Sequence, residues 1–432
     1  MKVTRIAIAT VFVVLCIGAG FWVASEPEIP MLTAAERQKP VFEVNQKLIE
    51  HGARLVAAGD CVVCHSSKGG QLFAGGLKLD TPFGAIYSTN ITPDDETGIG
   101  TWSPDAFKRA MRKGISRDGH LLYPAFPYQH FTRTNAADIA DIYAYLMSRP
   151  PVHAVTPANQ LIFPLNIRPL VAGWNLLFLK GGVVPDGATQ STEWNRGRYL
   201  VEGLGHCGAC HSPLNLLGAE KKGQAFAGGS IDGWDAPALT RLSAAPVPWT
   251  PSQLIDYLHT GLASEHGAAA GPMRPVSQEL ADAPRADVEA ISIYLMSLQA
   301  PATPVTLPTA AQQANPVIPT GLDGAHALFI GACGVCHEAG APMSTLGGRP
   351  SLAQSTAVNA DSPTNTVRMI LDGNGWHASE AAHFMPAYAD TLNDRQIADL
   401  GNYLRARYST QAPWASLGEQ AVAKIRKETP AP

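Results

Sequence analysis

Charged residues are scarce in this chain of 432 residues. They make up 16 % of the sequence and leave a formal net charge of −4, so no basic surface is predicted and a nucleic-acid partner is excluded. The sequence also lacks a serine triad, a phosphate-cradling glycine loop and a zinc-protease motif. We therefore expect no substrate chemistry on this chain alone.

Cysteines are few, and nearly all of them stand in one pattern. Six of the seven belong to three copies of Cys-x-x-Cys-His, so no disulfide framework remains. The pattern is the attachment signature of c-type haem: the two thiols form thioethers with the porphyrin, and the histidine becomes the proximal iron ligand. We predict three covalently bound haem c groups and a role in moving single electrons. The motif residues are Cys61, Cys64 and His65, then Cys207, Cys210 and His211, then Cys333, Cys336 and His337.

Zinc is the alternative ligand of a Cys-x-x-Cys pair. Zinc needs four ligands, so the pairs would have to combine across long separations, whereas each copy here holds a complete haem set. A thioredoxin-like redox pair would need a βαβ pattern, which surrounds none of the copies. Haem attachment is therefore the favoured interpretation.

One long apolar run, Ile6–Ala24, is present near the N-terminus. It is long enough to cross a bilayer as a helix, and Lys2 and Arg5 before it would stay on the cytoplasmic side. We expect a retained anchor in residues 1–25, because the apolar region of a cleaved secretory signal is shorter than this run. A cleaved signal is the alternative. In both cases the rest of the chain is exported.

Short segments recur along the chain. Phe73-Ala74-Gly75-Gly76 returns as Phe226-Ala227-Gly228-Gly229, and we interpret these glycine-rich pieces as turns around haem. Each repeat reads as a helix, a haem motif, loops and a final amphipathic helix. The fold class predicted is mainly α, with three tandem cytochrome c domains and an N-terminal transmembrane helix. Apolar positions at helical spacing predict the final helices at Ala137–Met147, Asp287–Leu298 and Asp394–Tyr408.

Composition separates the predicted domains. The apolar linker contains Leu161–Leu179. Pro164 and Pro169 break this segment, so it is not expected to form a membrane-spanning helix. We expect it either to pack as a strap between domains or to form a surface for a partner subunit or the membrane. In the tail, Trp414–Lys427 is predicted to be an amphipathic helix lying on a partner or on lipid, or else a frayed end. The predicted organisation is an anchor or signal (1–25), cytochrome c domains at 45–150, 191–300 and 321–411, an apolar linker (151–190), a Pro-rich linker (301–320) and a tail (412–432).

The sixth ligand of a cytochrome c iron usually comes from a methionine in the loop before the last helix. Met273, in Gly-Pro-Met-Arg-Pro, and Met385, in His-Phe-Met-Pro-Ala, occupy that place in the second and third domains. Ligation by histidine and methionine raises the reduction potential. We predict Met273 and Met385 as axial ligands.

The first domain departs from this pattern, because Phe126 stands where the methionine is expected and cannot bind iron. Four assignments stay open: imidazole from His130, imidazole from His120, a five-coordinate iron under the Phe126 ring, or ligation by Met111. We favour His130. A bis-histidine haem would have a lower potential than its methionine-ligated neighbours.

Further motifs carry a resemblance to a known family. With Thr81-Pro82-Phe83-Gly84, Asn90-Ile91-Thr92-Pro93-Asp94 and Trp194-Asn195-Arg196-Gly197, the chain resembles the three-haem cytochrome c subunits of bacterial membrane-bound dehydrogenases over roughly residues 45–410. The resemblance implies a catalytic subunit that oxidises a substrate and a cytochrome subunit that passes the electrons to ubiquinone. It places the haem domains on the periplasmic side of the bacterial inner membrane.

Two segments indicate a branch of that family. Ala125-Phe126-Pro127-Tyr128-x-His130-Phe131 and Leu165-Asn166-x-Arg168-Pro169 are most similar to the cytochrome partners of molybdopterin hydroxylases, which act on aldehydes, isoquinoline or nicotinate. The resemblance then implies molybdopterin and iron–sulfur subunits as partners. A quinoprotein or flavoprotein alcohol or sugar dehydrogenase is the alternative complex. A stand-alone carrier to a terminal oxidase and a haem enzyme acting at an open first haem also stay open.

Overall fold

The computed structural model describes residues 18, 27–37, 46–301, 306–309, 312, 318–338, 340–341, 351–375 and 384–428. Among them, helices include many more residues than strands do. The chain divides into two compact units: one runs up to Ala209 and also includes Asp282–Ile291, and the other comprises Cys210–Ala281 and the residues from Ser292 onwards. The three predicted domains stay a prediction, as do their boundaries.

The predicted N-terminal transmembrane helix is wrong. Crossing a bilayer takes about 20 apolar residues in one helix. In the part of the chain that the structure describes, no helix is long and apolar enough, and the longest, Asp394–Tyr408, has 15 residues. Of the run Ile6–Ala24, only Gly18 belongs to the described residues, so the remainder of that run lies outside them, as does Cys16.

The first unit begins with helices and a small sheet. Strands β1, β2 and β3 form an antiparallel sheet in that order, in which Leu79 pairs with Ile86 and Ala85 with Gln160. The 3₁₀ turn Arg168–Leu170 precedes α7, and the π-helical turn Leu200–Leu204 follows α8. The elements are α1 (Ala34–Arg37), α2 (Gln46–Ala58), α3 (Cys61–His65), β1 (Lys78–Thr81), β2 (Gly84–Tyr87), α4 (Pro104–Lys113), α5 (Tyr128–Phe131), α6 (Ala136–Met147), β3 (Gln160–Leu161), α7 (Val171–Phe178) and α8 (Thr192–Tyr199).

The core of the first unit forms where α2 packs on α6. Leu55 on α2 and Ile139 and Ile142 on α6 are buried there. The helices approach closely at Gly52, where a Cβ would lie 2.7 Å from the Asp141 carbonyl carbon. Helix α6 begins after Asn135, whose side chain accepts a hydrogen bond from the Asp138 amide, and it matches the predicted helix Ala137–Met147 within one residue.

The second unit consists of helices and two short hairpins. The hairpins pair β4 with β5 and β6 with β7, both antiparallel. A π-helical turn, Phe329–Cys333, leads into the third haem motif, and 3₁₀ turns occur at Leu242–Ala244 and Leu352–Gln354. Helix α9 (Gly208–His211) and helix α12 (Arg285–Ser297) each cross the boundary between the units. The other elements are β4 (Gly229–Ile231), β5 (Trp234–Ala236), α10 (Pro251–Thr260), β6 (Leu262–Ala263), β7 (Gly267–Ala268), α11 (Met273–Leu280), α13 (Asp323–Leu328), α14 (Gly334–His337), α15 (Thr356–Asn359), α16 (Thr364–Asp372), α17 (Asp394–Tyr408) and α18 (Glu419–Lys427).

The C-terminal tail packs within the second unit. Trp414, Leu417, Val422 and Ile425 are buried in one core with side chains of α16 and α17. An ion pair between Arg426 and Asp394, with nitrogen and oxygen 2.7 Å apart, ties α18 to the start of α17. The tail therefore forms the predicted amphipathic helix, but its apolar face is covered by its own unit.

Candidate haem sites

The proximal histidines of the first two motifs are held in the same way. Nδ1 of His65 lies 2.6 Å from the Thr89 carbonyl oxygen, and Nδ1 of His211 lies 2.7 Å from the Pro237 carbonyl oxygen. A carbonyl only accepts, so Nδ1 carries the proton in each ring and Nε2 carries the lone pair. Burial lowers the pKa of both imidazoles, which keeps them in the neutral form that binds metal. Both rings are thus set up to ligate iron through Nε2.

The chain after each of these two histidines forms the same loop. The Gly75 amide donates to the His65 carbonyl at 2.7 Å, and the Gly228 amide donates to the His211 carbonyl at 2.8 Å. Gly75 and Gly228 have φ of 73° and 94°, a region that suits glycine. Ser66 and Ser212, directly after the histidines, each accept from the amide of the phenylalanine that begins the repeated Phe-Ala-Gly-Gly segment, at 3.1 Å. The predicted turns are therefore part of the histidine setting in both motifs.

Replacing Gly75 by alanine should open the first loop. A Cβ at Gly75 would lie 2.6 Å from the Asn90 nitrogen and closer still to the Thr89 carbonyl carbon, so the carbonyl that orients His65 must move. Gly69 is the matched control, because its φ is 70° and a Cβ there would meet nothing within 4 Å. We expect Gly69→Ala to cost about 1 kcal/mol of left-handed strain, and Gly75→Ala at least about 2 kcal/mol.

Hydrogen exchange of peptides covering residues 73–91, followed by mass spectrometry, measures this local opening free energy. Equal protection in the two variants would show that the close contact at Gly75 does not constrain the Thr89 carbonyl.

The thiols are arranged for attachment to a prosthetic group. Among the described residues, none of the six motif cysteines takes part in a disulfide. Burial raises the pKa of the Cys207 and Cys333 thiols to about 11, so both are protonated at neutral pH. Paired thiols beside a neutral imidazole whose Nδ1 is already bonded match the donor set of haem c. The residues at the first two motifs therefore fit the predicted cofactor.

The backbone before each predicted sixth-ligand loop follows a recurring pattern. Helices α4, α10 and α16 each end at a glycine of positive φ, Gly114, Gly261 and Gly373. An antiparallel bridge follows each glycine, at Ile115 with Leu121, at β6 with β7, and at Asn374 with Met385. Phe126 and Met273 stand at the same offset after their bridges, whereas Met385 is itself the bridge partner of Asn374. That Phe126 occupies the frame of a ligand methionine stays a prediction.

Each of the two methionine loops contacts another segment of the second unit. In the third, the Tyr388 hydroxyl, just after Met385, donates to the Ala332 carbonyl next to Cys333 at 3.2 Å. In the second, the ring of Trp234 on β5 packs on Gly271, where a Cβ would lie 2.6 Å from Trp234 Cδ2. Met273 and Met385 are both half-buried. Their role as iron ligands stays a prediction.

The candidate ligands of the first haem lie in different settings. His130 on α5 is buried, and its Nδ1 lies 3.0 Å from the Glu202 carbonyl oxygen. Nδ1 of His120 lies 2.6 Å from Asp118 Oδ1 on the surface, and Met111 is buried in α4. His130 therefore packs against the segment before the second motif, and its assignment to iron stays a prediction.

Sequence reasoning missed three groups at these sites. The carbonyls of Thr89 and Pro237 orient the histidines, and backbone carbonyls have no signature in the residue type. The third group is His206, whose Nε2 lies 3.2 Å from the carbonyl oxygen of Gly59, two residues before Cys61. Its position directly before a haem cysteine was the one available signal.

Two parts of the chain match known protein families. Residues 49–150 match the family described as cytochrome c, and residues 321–404 match the family described as cytochrome c oxidase, cbb3-type, subunit III. The second motif, at 207–211, lies between these two ranges.

Relatives match most of the chain. It is 33 % identical to the fructose dehydrogenase cytochrome subunit of Gluconobacter japonicus, over 99 % of this chain and 90 % of that protein. It is 37 % identical to the gluconate 2-dehydrogenase cytochrome c subunit of Pantoea cypripedii, over 89 % of this chain and 91 % of that protein. It is 51 % identical to a nicotinate dehydrogenase subunit of Pseudomonas putida over 88 % of its own length, but it spans only 32 % of that longer protein.

Proposed function

We propose a function for this chain on the premise that it belongs to the family of cytochrome c electron-transfer subunits of dehydrogenase complexes. The cytochrome c family carries covalently bound haem c, which accepts and releases one electron at a time. The resemblance predicted from the sequence is thereby confirmed, as is a catalytic dehydrogenase partner. The protein residues position these groups and tune their potentials rather than convert a substrate.

We infer that the chain binds three haems, one at each motif. The observation that supports this most strongly is the shared setting of His65 and His211, each with Nδ1 bonded to a backbone carbonyl. The second motif lies outside the two matched family ranges, so its agreement with the first carries independent weight. The third motif falls inside the range 321–404.

The catalytic partner that we propose is a molybdopterin enzyme with an iron–sulfur subunit. The support is the 51 % identity to a protein named as a nicotinate dehydrogenase subunit, together with Phe126 and His130 in the first ligand loop. The substrate would then be an N-heterocycle or an aldehyde. The relatives named as fructose, gluconate and alcohol dehydrogenase subunits favour a second candidate, a complex that oxidises sugars or alcohols.

Purification of the tagged chain from membranes of its native host tests this proposal. We expect a molybdenum-containing subunit to co-purify, and its substrate to reduce the haem of the isolated complex. A short-chain ubiquinone should then reoxidise the haem. Co-purification of a flavoprotein or quinoprotein would favour the second candidate. A chain that purifies alone and is reoxidised only by a terminal oxidase would contradict both.

The acceptor that we propose, ubiquinone, is dissolved in the bilayer, so the chain should contact lipid on the periplasmic face of the inner membrane. Exposed apolar side chains in the first unit support this. Phe163 is 79 % and Leu176 75 % exposed, and Ile162 and Leu177 are exposed beside them in the chain. The sequence from residue 142 to residue 185 contains no aspartate or glutamate. Exposed apolar side chains without carboxylates suit an interfacial membrane contact.

Aspartate at Phe163 and Leu176 should release the protein from lipid. Each apolar side chain moved out of the bilayer forfeits roughly 1.5 kcal/mol or more, so we expect the double variant to bind vesicles of phosphatidylethanolamine and phosphatidylglycerol at least about tenfold more weakly. Val155→Asp is the matched control, since Val155 is 79 % exposed but precedes the segment from Ile162 to Leu177 in the chain.

Sedimentation with vesicles gives the partition coefficient of each variant. If neither wild type nor variant binds vesicles, while the double variant no longer assembles with the dehydrogenase, these side chains contact a partner subunit instead.

A further inference from the structure

The segments that precede the first two haem motifs lie against each other within the first unit. Nε2 of His206 is 3.2 Å from the carbonyl oxygen of Gly59, two residues before Cys61, and His206 itself directly precedes Cys207. A Cβ on Gly59 would lie 3.2 Å from Cδ1 of Leu204, and a Cβ on Gly205 would lie 3.5 Å from the Ala58 carbonyl oxygen, so the two segments are closely packed. One hydrogen bond therefore joins the peptide that holds one haem cysteine to the peptide that holds another.

The orientation of the His206 ring follows from its backbone and its surroundings. His206 has φ of 36°, a left-handed conformation that is unusual for a residue other than glycine. Because the Gly59 carbonyl can only accept, Nε2 carries the proton. Burial, aided by the nearby His130, lowers the pKa of His206 to about 4, so the ring is neutral at pH 7.

A second contact leads from His206 to the loop of the first haem. The ring of Phe131 meets the His206 ring edge to face, with centroids 5.4 Å apart. Phe131 in turn packs on Phe126, with centroids 5.3 Å apart, and Phe126 stands where the sequence predicts the ligand methionine. His206 thus contacts the attachment peptide of the first haem directly and its ligand loop through one ring.

Polar contacts hold these segments in register. Arg133 Nη1 lies 2.5 Å from Glu202 Oε2, and Nδ1 of His130 lies 3.0 Å from the Glu202 carbonyl oxygen. The Tyr199 hydroxyl donates to Asp138 Oδ2 at 2.6 Å. Helix α8 and the turn after it are therefore bonded at several points to the segment from His130 to Asp138, which preorganises the contact at His206.

We propose that His206 is the positioning residue through which an electron passes between the haem attached at Cys61 and Cys64 and the haem attached at Cys207 and Cys210. The proposal rests on the proposed function, because it assumes that both motifs carry haem. One electron leaves the reduced centre and arrives at the oxidised one; no bond breaks, and the Nε2 proton stays on the ring. Electron tunnelling weakens steeply across gaps, so a hydrogen bond and ring contacts at this place favour transfer.

The residues at the same position in the other motifs differ. Asp60 precedes Cys61, and Ala332 precedes Cys333. Neither offers a ring that could donate to a carbonyl beside another motif and also pack on a phenylalanine. The histidine is therefore specific to this one contact rather than a general requirement of haem attachment.

Photochemical reduction of the purified full chain, followed by the absorbance of its haems, tests this role. We expect His206→Ala to slow the internal redistribution of electrons at least about tenfold, because the hydrogen-bonded link is lost. His206→Gln keeps an N–H group that can reach Gly59 but loses the contact with the Phe131 ring, so it should restore part of the rate. His51→Ala removes an imidazole that bonds to Asp141 elsewhere in the first unit, and should change nothing.

The readouts separate this proposal from the proposed function. The measurement uses neither dehydrogenase nor quinone, so a wrong partner or acceptor leaves it untouched. Haem content and midpoint potentials are determined for each variant, and an unchanged rate in His206→Ala with full haem content overturns the role of His206. If His206→Ala fails to load haem, Phe131→Leu decides instead: slower redistribution supports the route, and an unchanged rate contradicts it.

Discussion

Replacing Cys207 and Cys210 together by alanine should lower the covalent haem content of the full chain by one, from the proposed three per polypeptide to two. Each motif attaches its haem only through its own pair of thiols, so the loss of both sulfurs leaves no covalent bond at that place. This pair is the most informative of the three, because the matched family ranges 49–150 and 321–404 do not include it. The change removes an entire redox centre, which is a larger effect than any tuning of its neighbours.

Pyridine haemochrome absorbance of denatured, dialysed protein, together with its intact mass, counts the attached haems. Cys16→Ala is the matched control, because Cys16 belongs to no Cys-x-x-Cys-His motif and its loss should leave three haems. Two haems in the wild type, unchanged in the double variant, would mean that the second motif holds no haem. Such a result would also remove the basis for electron passage at His206.

Local sequence patterns predicted the elements that local interactions determine. Helix α17 matches its predicted bounds, Asp394–Tyr408, because a capping box between Asn393 and Gln396 begins it and an apolar face continues it. The loops before Phe126 and Met273 also share a local backbone pattern, since a glycine-terminated helix and a bridge precede both residues. These features depend on residues close together in the sequence.

Contacts between distant backbone groups could not be predicted in this way. The His206 ring reaches Gly59 across 147 residues, and its acceptor is a carbonyl that any residue could provide. The same holds for Thr89 and Pro237, whose carbonyls fix the proximal histidines. The position of the tail helix could not be predicted for a related reason. The spacing of Val422 and Ile425 predicts an apolar face, but it does not show that this face packs in the core of the second unit. The apolar composition of Ile6–Ala24 likewise suggested a transmembrane helix, a prediction that the described residues do not support.

Substitution of either predicted methionine ligand should produce the largest shifts in reduction potential. Met385→His would convert a histidine–methionine iron into a bis-histidine one. We therefore expect the reduction potential of that haem to fall by a few tenths of a volt, within the roughly 0.8 V range that axial ligands span. The backbone at Met385 is fixed independently of its side chain: its amide donates to the Asn374 carbonyl at 3.0 Å, and its carbonyl accepts from the Asn374 amide at 2.9 Å. The backbone of the loop should therefore hold when the side chain changes.

Met273→Leu should instead leave the second iron without a sixth protein ligand. We expect a high-spin signal in the EPR spectrum and new binding of small exogenous ligands, while Gly271 packed on Trp234 keeps the loop in place. Met296→Leu and Met147→Leu are the matched controls, because both methionines lie on final helices, α12 and α6, outside the ligand loops. Redox titration with visible and EPR spectra distinguishes the variants. A control that shifts a potential as much as Met273→Leu does, or a Met273→Leu spectrum identical to wild type, would assign the sixth ligand elsewhere.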